Sequence, residues 1–488
     1  MQYALDDWIS YMKSKHISSI TVGTNYIYFG TLDGGILRYH LFQNFWDYPF
    51  TTSNGLPSNR ILDVVYDDQT GYLWAITAED TCLFNPAMRE WICKSENRFW
   101  NYTFPKPVQP TGDNSIAYNV FYPAEYLNVL PLYFANGLYT LTGDWKVLDE
   151  NFSEFPISGF LKDHWERIWF AIDGLGIGIG NTYTQRMEVV PFGLSDINPR
   201  VVQFQYDDLW IGGMGRPQPD FDGITNWRNS DGSWHFYRAR YISHLPSDNV
   251  TDIAVYGDSV WFATDYGLSL FDNRKNRWKN FSVKEGLYSN EVLDLTILGE
   301  KLYAGTVNGL NSIHMPTGIV KREKDETIHL ATVYQTSPQG DTLWAATNQG
   351  ILRKFPDGRW QAVKVGAAIQ DLPTLAVKAF GSEIWFSSPE GVFWLDTKTG
   401  KWTSFPQLGM EIPGPFFDLA VNEISVWVST SGGLLKFDRQ RNYWIRFTEE
   451  DGLLDNQCYR LLLDGEFIWI ACETGITQFY WNNPDRID

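Results

Sequence analysis

Four aspartates occupy matching places in a repeated stretch of the chain: Asp63, Asp252, Asp294 and Asp418. Each lies near the start of an apolar segment. Carboxylates collected around one axis could hold a cation or bind a polyhydroxylated ligand. The same residue type also bonds loop backbone and fixes a junction, and that structural reading is preferred. The asparagines of the same stretch, Asn59, Asn249, Asn290 and Asn456, suit tight turns for the same reason. A second constellation is Asp220, Asp222, Trp227 and Arg228, inside the Gly- and Pro-rich stretch 213–233. An indole can stack on a sugar ring while carboxylates and a guanidinium bind its hydroxyls, and loops on rigid scaffolds often carry function. Its structural alternative is a linker or packing segment. Trp100 and Tyr102, in the insertion at 95–127, are weaker candidates of the same kind.

The 4 cysteines fall into two pairs by register. If Phe84 faces Trp91 across a hairpin, Cys82 faces Cys93. A turn at Asp464-Gly465 brings Cys458 opposite Cys472. Both pairs could be cross-strand disulfides, which would fit an oxidising compartment; the alternative is buried free thiols. Catalytic signatures are absent. The 7 histidines show neither H-x-H nor HExxH spacing, and no G-x-S-x-G elbow occurs. LDTKTGKW (395–402) is a single copy of a quinone-dehydrogenase motif that must repeat around a ring. NSDGSW (229–234) is a misspaced echo of the sialidase Asp box. GIGIG (176–180) lacks the strand–helix context of a phosphate loop. No cofactor and no metal site is expected.

The elements that must position these residues follow from a repeat. An apolar strand, a short polar turn, a second strand with an aromatic, a Gly turn and a third strand recur; the copies at 250–281 and 417–447 are the clearest. The second-strand aromatic stands at Trp261, Tyr303, Trp344, Trp385, Trp427 and Trp469, with gaps of 41 or 42 residues. Looser copies carry Tyr28, Trp74, roughly Tyr133, Trp169 and Trp210. A fourth strand with its own Trp follows in many units, as at Trp46, Trp91, Trp278, Trp402 and Trp444. Short alternating strands with almost no helical periodicity mean all-β. This period with four strands predicts a β-propeller of about eleven four-stranded blades. One ring of that size exceeds the usual range of roughly 4–8 blades, so two rings are expected. The sequential layout gives a first propeller with degenerate blades at 1–225 and a second of about six blades at 226–488. In the alternative, one ring is inserted within the other and the N-terminal strand closes the last blade.

The 488 residues are 44% hydrophobic and carry a net charge of -19. That supports a packed core and argues against a nucleic-acid partner or an anionic membrane surface. No run of 18 apolar residues occurs, so no membrane insertion is expected. The opening MQYALDDWISYM lacks a basic and an apolar leader stretch, read here as a signal peptide absent from this chain.

The junctions before the first strands read NGLPSNRILD (54–63), LPSDNVTD (245–252), EGLYSNEVLD (285–294) and DGLLDNQCYR (451–460), and the following hairpin reads DDQTGYLWAIT (67–77). Together these resemble the two-component regulator propeller repeats, a family of bacterial extracytoplasmic sensing regions that also occurs in secreted and secretion-associated proteins. The resemblance covers nearly the whole chain, with 95–245 matching poorly. It implies a periplasmic or extracellular, non-enzymatic propeller that recognises a glycan or protein partner. A propeller-fold polysaccharide lyase or hydrolase, and a structural scaffold of a secretion or cell-surface assembly, are the alternatives.

Overall fold

The computed structural model describes residues 3–98, 100–105, 133–134, 139–142, 146–149, 152–163, 165, 167–181, 183–184, 186–195, 197–215, 223–364, 372–406, 408, 412, 414–484 and 486. The architecture is all-β and built from blade-like sheets: ten sheets among the described residues, nine of them four-stranded. The chain divides into two compact units, Met1–Leu194 with Arg228–His235, and Ser195–Trp227 with Phe236–Asp488. The expected division at 225/226 therefore differs from the observed one. The strands Ile197–Gln205 and Asp208–Gly215, which carry Trp210, fall in the second unit, where the first of them packs beside the first strand of the Asp252 sheet.

In the first unit, Ile17–Val22, Tyr26–Thr31, Ile36–His40 and Trp46–Phe50 form one antiparallel sheet. Ile61–Asp67, Tyr72–Thr77, Thr81–Asn85 and Glu90–Cys93 form the next. A third contains Glu154–Lys162, Arg167–Ile172, Gly176–Asn181 and Arg186–Val190. The unit expected around Tyr133 is represented by the short strands Tyr133–Phe134, Thr140–Leu141 and Lys146–Leu148, which join that third sheet at both ends; residues 106–132 lie outside the described set.

Among the described residues, seven sheets have their first strands in the second unit. Their first strands are Ile197–Gln205, Val250–Tyr256, Val292–Leu298, Val333–Gln339, Ala376–Phe380, Phe416–Val421 and Cys458–Asp464. Each lies beside the next, and the last lies beside the first, so these innermost strands close on themselves. The repeated tryptophans form the layers between sheets. Trp210, Trp261, Trp344, Trp385 and Trp427 are each at most 1% exposed. A buried indole N–H usually finds a partner, and four of these five do, while Trp261 Nε1 has none among the described residues. Trp210 donates to Gln205, Trp344 to Gln339, Trp385 to Glu383 and Trp427 to Ser425.

Small polar side chains reinforce the turns inside four sheets of the second unit. Thr264, Thr306, Thr347 and Thr430 end second strands, and each hydroxyl donates to the carbonyl of the glycine three residues on. Gly267 and Gly433 have φ of 129° and 117°, a region open to glycine at little strain. A Cβ there would also meet a main-chain oxygen at 2.5 and 2.4 Å.

Candidate functional site

Most innermost strands of the second unit carry a β-bulge at their start, as at Val250/Asp252, Val292/Asp294, Val333/Gln335, Phe416/Asp418 and Cys458/Arg460. A bulge re-aims the side chain that follows it. Here it aims that side chain at the neighbouring strand. Asp252 Oδ2 accepts the Leu295 amide at 2.7 Å, and Asp418 Oδ2 accepts that of Leu461 at 2.9 Å. Asp294 Oδ2 accepts both the amide and the hydroxyl of Thr336, at 2.9 and 2.6 Å. Gln335 does the same work with its amide oxygen, which accepts from Val377 at 2.8 Å. The repeated acidic position is thus a latch between successive strands.

Arg460 occupies that position in the last sheet. Its Nη2 lies 2.9 Å from Asp252 Oδ1 and its Nη1 3.9 Å from Asp418 Oδ1. Gln335 Nε2 donates to the same Asp418 oxygen at 2.7 Å. One guanidinium therefore pairs with two buried carboxylates, Asp252 and Asp418, with Asp294 close enough for its charge to act on it. Burial, then the nearby Asp252 charge, pushes Asp294 up to about 8, and Arg460 and the Thr336 bonds only partly offset this. Burial also raises Asp252, against the pull of Arg460. Burial disfavours the Arg460 charge, but the surrounding carboxylates outweigh it and hold its pKa above the ordinary value. Asp63 sits at the equivalent bulge of the Ile61–Asp67 strand, in the other unit and half-buried. The structure thus gathers three of the four predicted aspartates and leaves the fourth apart.

The residue before the latch tells a different story. Arg200, Thr251, Leu293, Tyr334, Leu375, Phe417 and Tyr459 fill it around the seven strands, and all are half-buried. In the bulged strands this position is the extra, unpaired residue, where regular alternation is broken; the Thr251 hydroxyl, for one, donates to the Val292 carbonyl of the neighbouring strand at 2.6 Å. At the end where the innermost strands begin, three of these side chains meet. Arg200 lies with its guanidinium carbon 3.4 Å from the centre of the Tyr459 ring, and Phe417 packs 5.1 Å from the same ring. Glu473 joins them. It accepts from Asn198 Nδ2 at 2.5 Å, from both terminal nitrogens of Arg200 at 3.2 Å and from the Tyr459 hydroxyl. Gln457 Nε2 donates to that hydroxyl at 2.7 Å. Partial burial and the Glu473 bond push Tyr459 up to about 12, so it remains a neutral donor. Arg200, Phe417 and Tyr459 thus form an aromatic and cationic cluster at this rim, joined by the polar groups of Glu473, Asn198 and Gln457.

The other predicted residues fall elsewhere. Trp227 lies in the strand Ile224–Arg228, half-buried, with its ring 6.0 Å from that of Trp469 at 64°. Arg228 ends the strand, and Asp220 and Asp222 lie outside the described residues. Trp100 and Tyr102 pack around Trp74, with centroids at 5.9 and 6.3 Å. Cys82 and Cys93 face each other in register and are bonded. Cys458 and Cys472 also face each other but are buried thiols, 3.8 Å apart. Arg200, Tyr459, Arg460 and Glu473 are the residues that sequence reasoning overlooked. A signal existed for one of them: laying DGLLDNQCYR over EGLYSNEVLD places Arg460 where the other copies carry aspartate.

No family profile matches the chain, and no curated protein matches it. Among solved structures, the extracellular domain of a protein named as hybrid two component system BT4673 of B. thetaiotaomicron is 15% identical, over 95% of this chain and 70% of that one, with a TM-score of 0.47. The corresponding domain of BT3049 from the same organism is 14% identical, over 97% and 82%, with a TM-score of 0.43. PorZ, a surface component of the type-IX secretion system of Porphyromonas gingivalis, is 12% identical, over 97% and 87%, with a TM-score of 0.37. These are distant likenesses of architecture and bear on nothing else.

Proposed function

We propose that the chain is a non-enzymatic extracytoplasmic binding propeller that takes a glycan or protein ligand at the rim of the second unit's innermost strands. One observation carries this reading. The buried carboxylates, the groups best suited to acid–base work, are committed to main-chain amides and to Arg460. The half-exposed groups at the rim are aromatic, aliphatic or hydrogen-bonding, which is the chemistry of recognition. The paired register of Cys82 and Cys93 fits an oxidising compartment. Among the described residues no helix is long and apolar enough to cross a membrane.

The test is to apply labelled full-length chain to a glycan array and to the immobilised partner candidates, with product analysis by chromatography. The expected result is retention without turnover, lost by about tenfold or more in Arg200→Ala with Tyr459→Ala, in line with truncation of a binding hot spot. Release of product from a polysaccharide, or binding indifferent to both substitutions, would overturn the reading.

A further inference from the structure

The hairpin that carries Glu473 differs in one detail from four of its six counterparts in the second unit. In four sheets of the second unit the second strand ends on threonine, set opposite an apolar residue of the first strand: Val250 faces Thr264, Val292 faces Thr306, Val333 faces Thr347 and Phe416 faces Thr430. Each threonine hydroxyl locks its own turn at 2.6–2.8 Å. In the last sheet both places are cysteine, and Cys458 faces Cys472. The Cys472 thiol points to the Ile470 carbonyl at 4.0 Å, and the Cys458 thiol to that of Asp455 at 3.5 Å. The turn lock is therefore missing from the one hairpin whose next residue, Glu473, joins Arg200, Asn198 and Tyr459. In its place two sulfurs stand 3.8 Å apart, each one residue from that network.

We propose that Cys458 and Cys472 are a redox modification site: they form a disulfide by exchange with an external small-molecule or protein disulfide, and this bond replaces the missing hydroxyl lock and fixes Tyr459 and Glu473 at the rim. The Cys458 thiolate attacks the external disulfide, forming a mixed disulfide and expelling one thiolate. The Cys472 thiolate then attacks the Cys458 sulfur and expels the second. The two protons lost by the cysteines are carried by the two leaving thiols, and the external disulfide is the species reduced. Both sulfurs are buried, and burial pushes the Cys458 thiol up from its ordinary value, so exchange is slow and proceeds through local opening of the hairpin. The link to recognition rests on the rim being the binding face; formation of the bond does not.

The experiment equilibrates the full chain with oxidised glutathione, quenches with an alkylating agent and maps the peptides by mass. The expected result is loss of both free thiols with a Cys458–Cys472 linkage, and amide exchange at Glu473 slowed by about tenfold or more against the reduced chain. The double variant Cys458→Val and Cys472→Thr, which restores the pair found in the other sheets, should show slow exchange whatever the redox state. Two thiols that stay alkylatable at equilibrium overturn the proposal. A bond that forms without altering Glu473 exchange overturns the tether. Neither result depends on ligand binding, so failure here is separate from failure of the recognition reading.

Discussion

Asp418 and Asp63 share a residue type and a place after a bulge, yet their surroundings set them different tasks. Asp418 is buried, accepts the Leu461 amide and the Gln335 side chain, and stands near Arg460. Asp63 is half-buried, raised by desolvation, and steadied chiefly by the amide of Val64, its own neighbour. The lesson is that a repeated residue marks a geometric slot, and the next strand decides what the slot does. In the second unit the ring of innermost strands turns the slot into a chain of latches. The proposed recognition surface lies one residue back along the strand, where no repeat motif points to it.

The largest effect is expected at Arg460. Arg460→Met leaves the buried Asp252 and Asp418 carboxylates without their cation, and should lower the unfolding free energy of the second unit by about 3–5 kcal/mol. Reaction of the buried Cys458 and Cys472 thiols across a denaturant series reads that unit alone. Next comes pH. Asp294 has a folded value of about 8, above the ordinary unfolded value of about 3.9. The folded state therefore holds the extra proton. The stability from this group is fully present below the unfolded value and is lost as pH climbs from there through the folded value. The slope should approach about 1.4 kcal/mol per pH unit at most. Asp294→Asn, which keeps an acceptor for Thr336 but cannot ionise, should flatten it; an unchanged slope would place the titration elsewhere. A smaller effect is expected at the turns. Thr264→Val removes one hydroxyl bond to Gly267 and should lower stability by about 1 kcal/mol in denaturant unfolding.

Much of the fold was legible because the tryptophan beat is set by burial, and burial is what hydrophobic spacing records. The latch was legible as a preferred structural reading, since aspartates at strand starts bond main chain far more readily than they gather ligands. The seventh sheet of the second unit was not legible. Its Trp210 lies 51 residues before Trp261, so the period breaks at 213–233 just where the neighbouring strands still pack side by side. The rim was hidden for another reason. Arg200, Phe417 and Tyr459 share no residue type, and Glu473 comes from a hairpin, so only the closure of the ring brings them together. Trp227 looked like a binding residue because it is flanked by polar groups in sequence; its position in a strand against Trp469 could be read only in space.

The most direct test sets Asp418→Ala beside Asp63→Ala and follows the unfolding of each unit, the second by thiol reactivity and the first by amide exchange in its strands. Loss of about 2–4 kcal/mol in the second unit from Asp418→Ala, against less than about 1 kcal/mol in the first from Asp63→Ala, is the predicted outcome. Equal losses, or an Asp418→Ala chain as stable as the parent, would show that the buried acids are not latches and would reopen them as a ligand site.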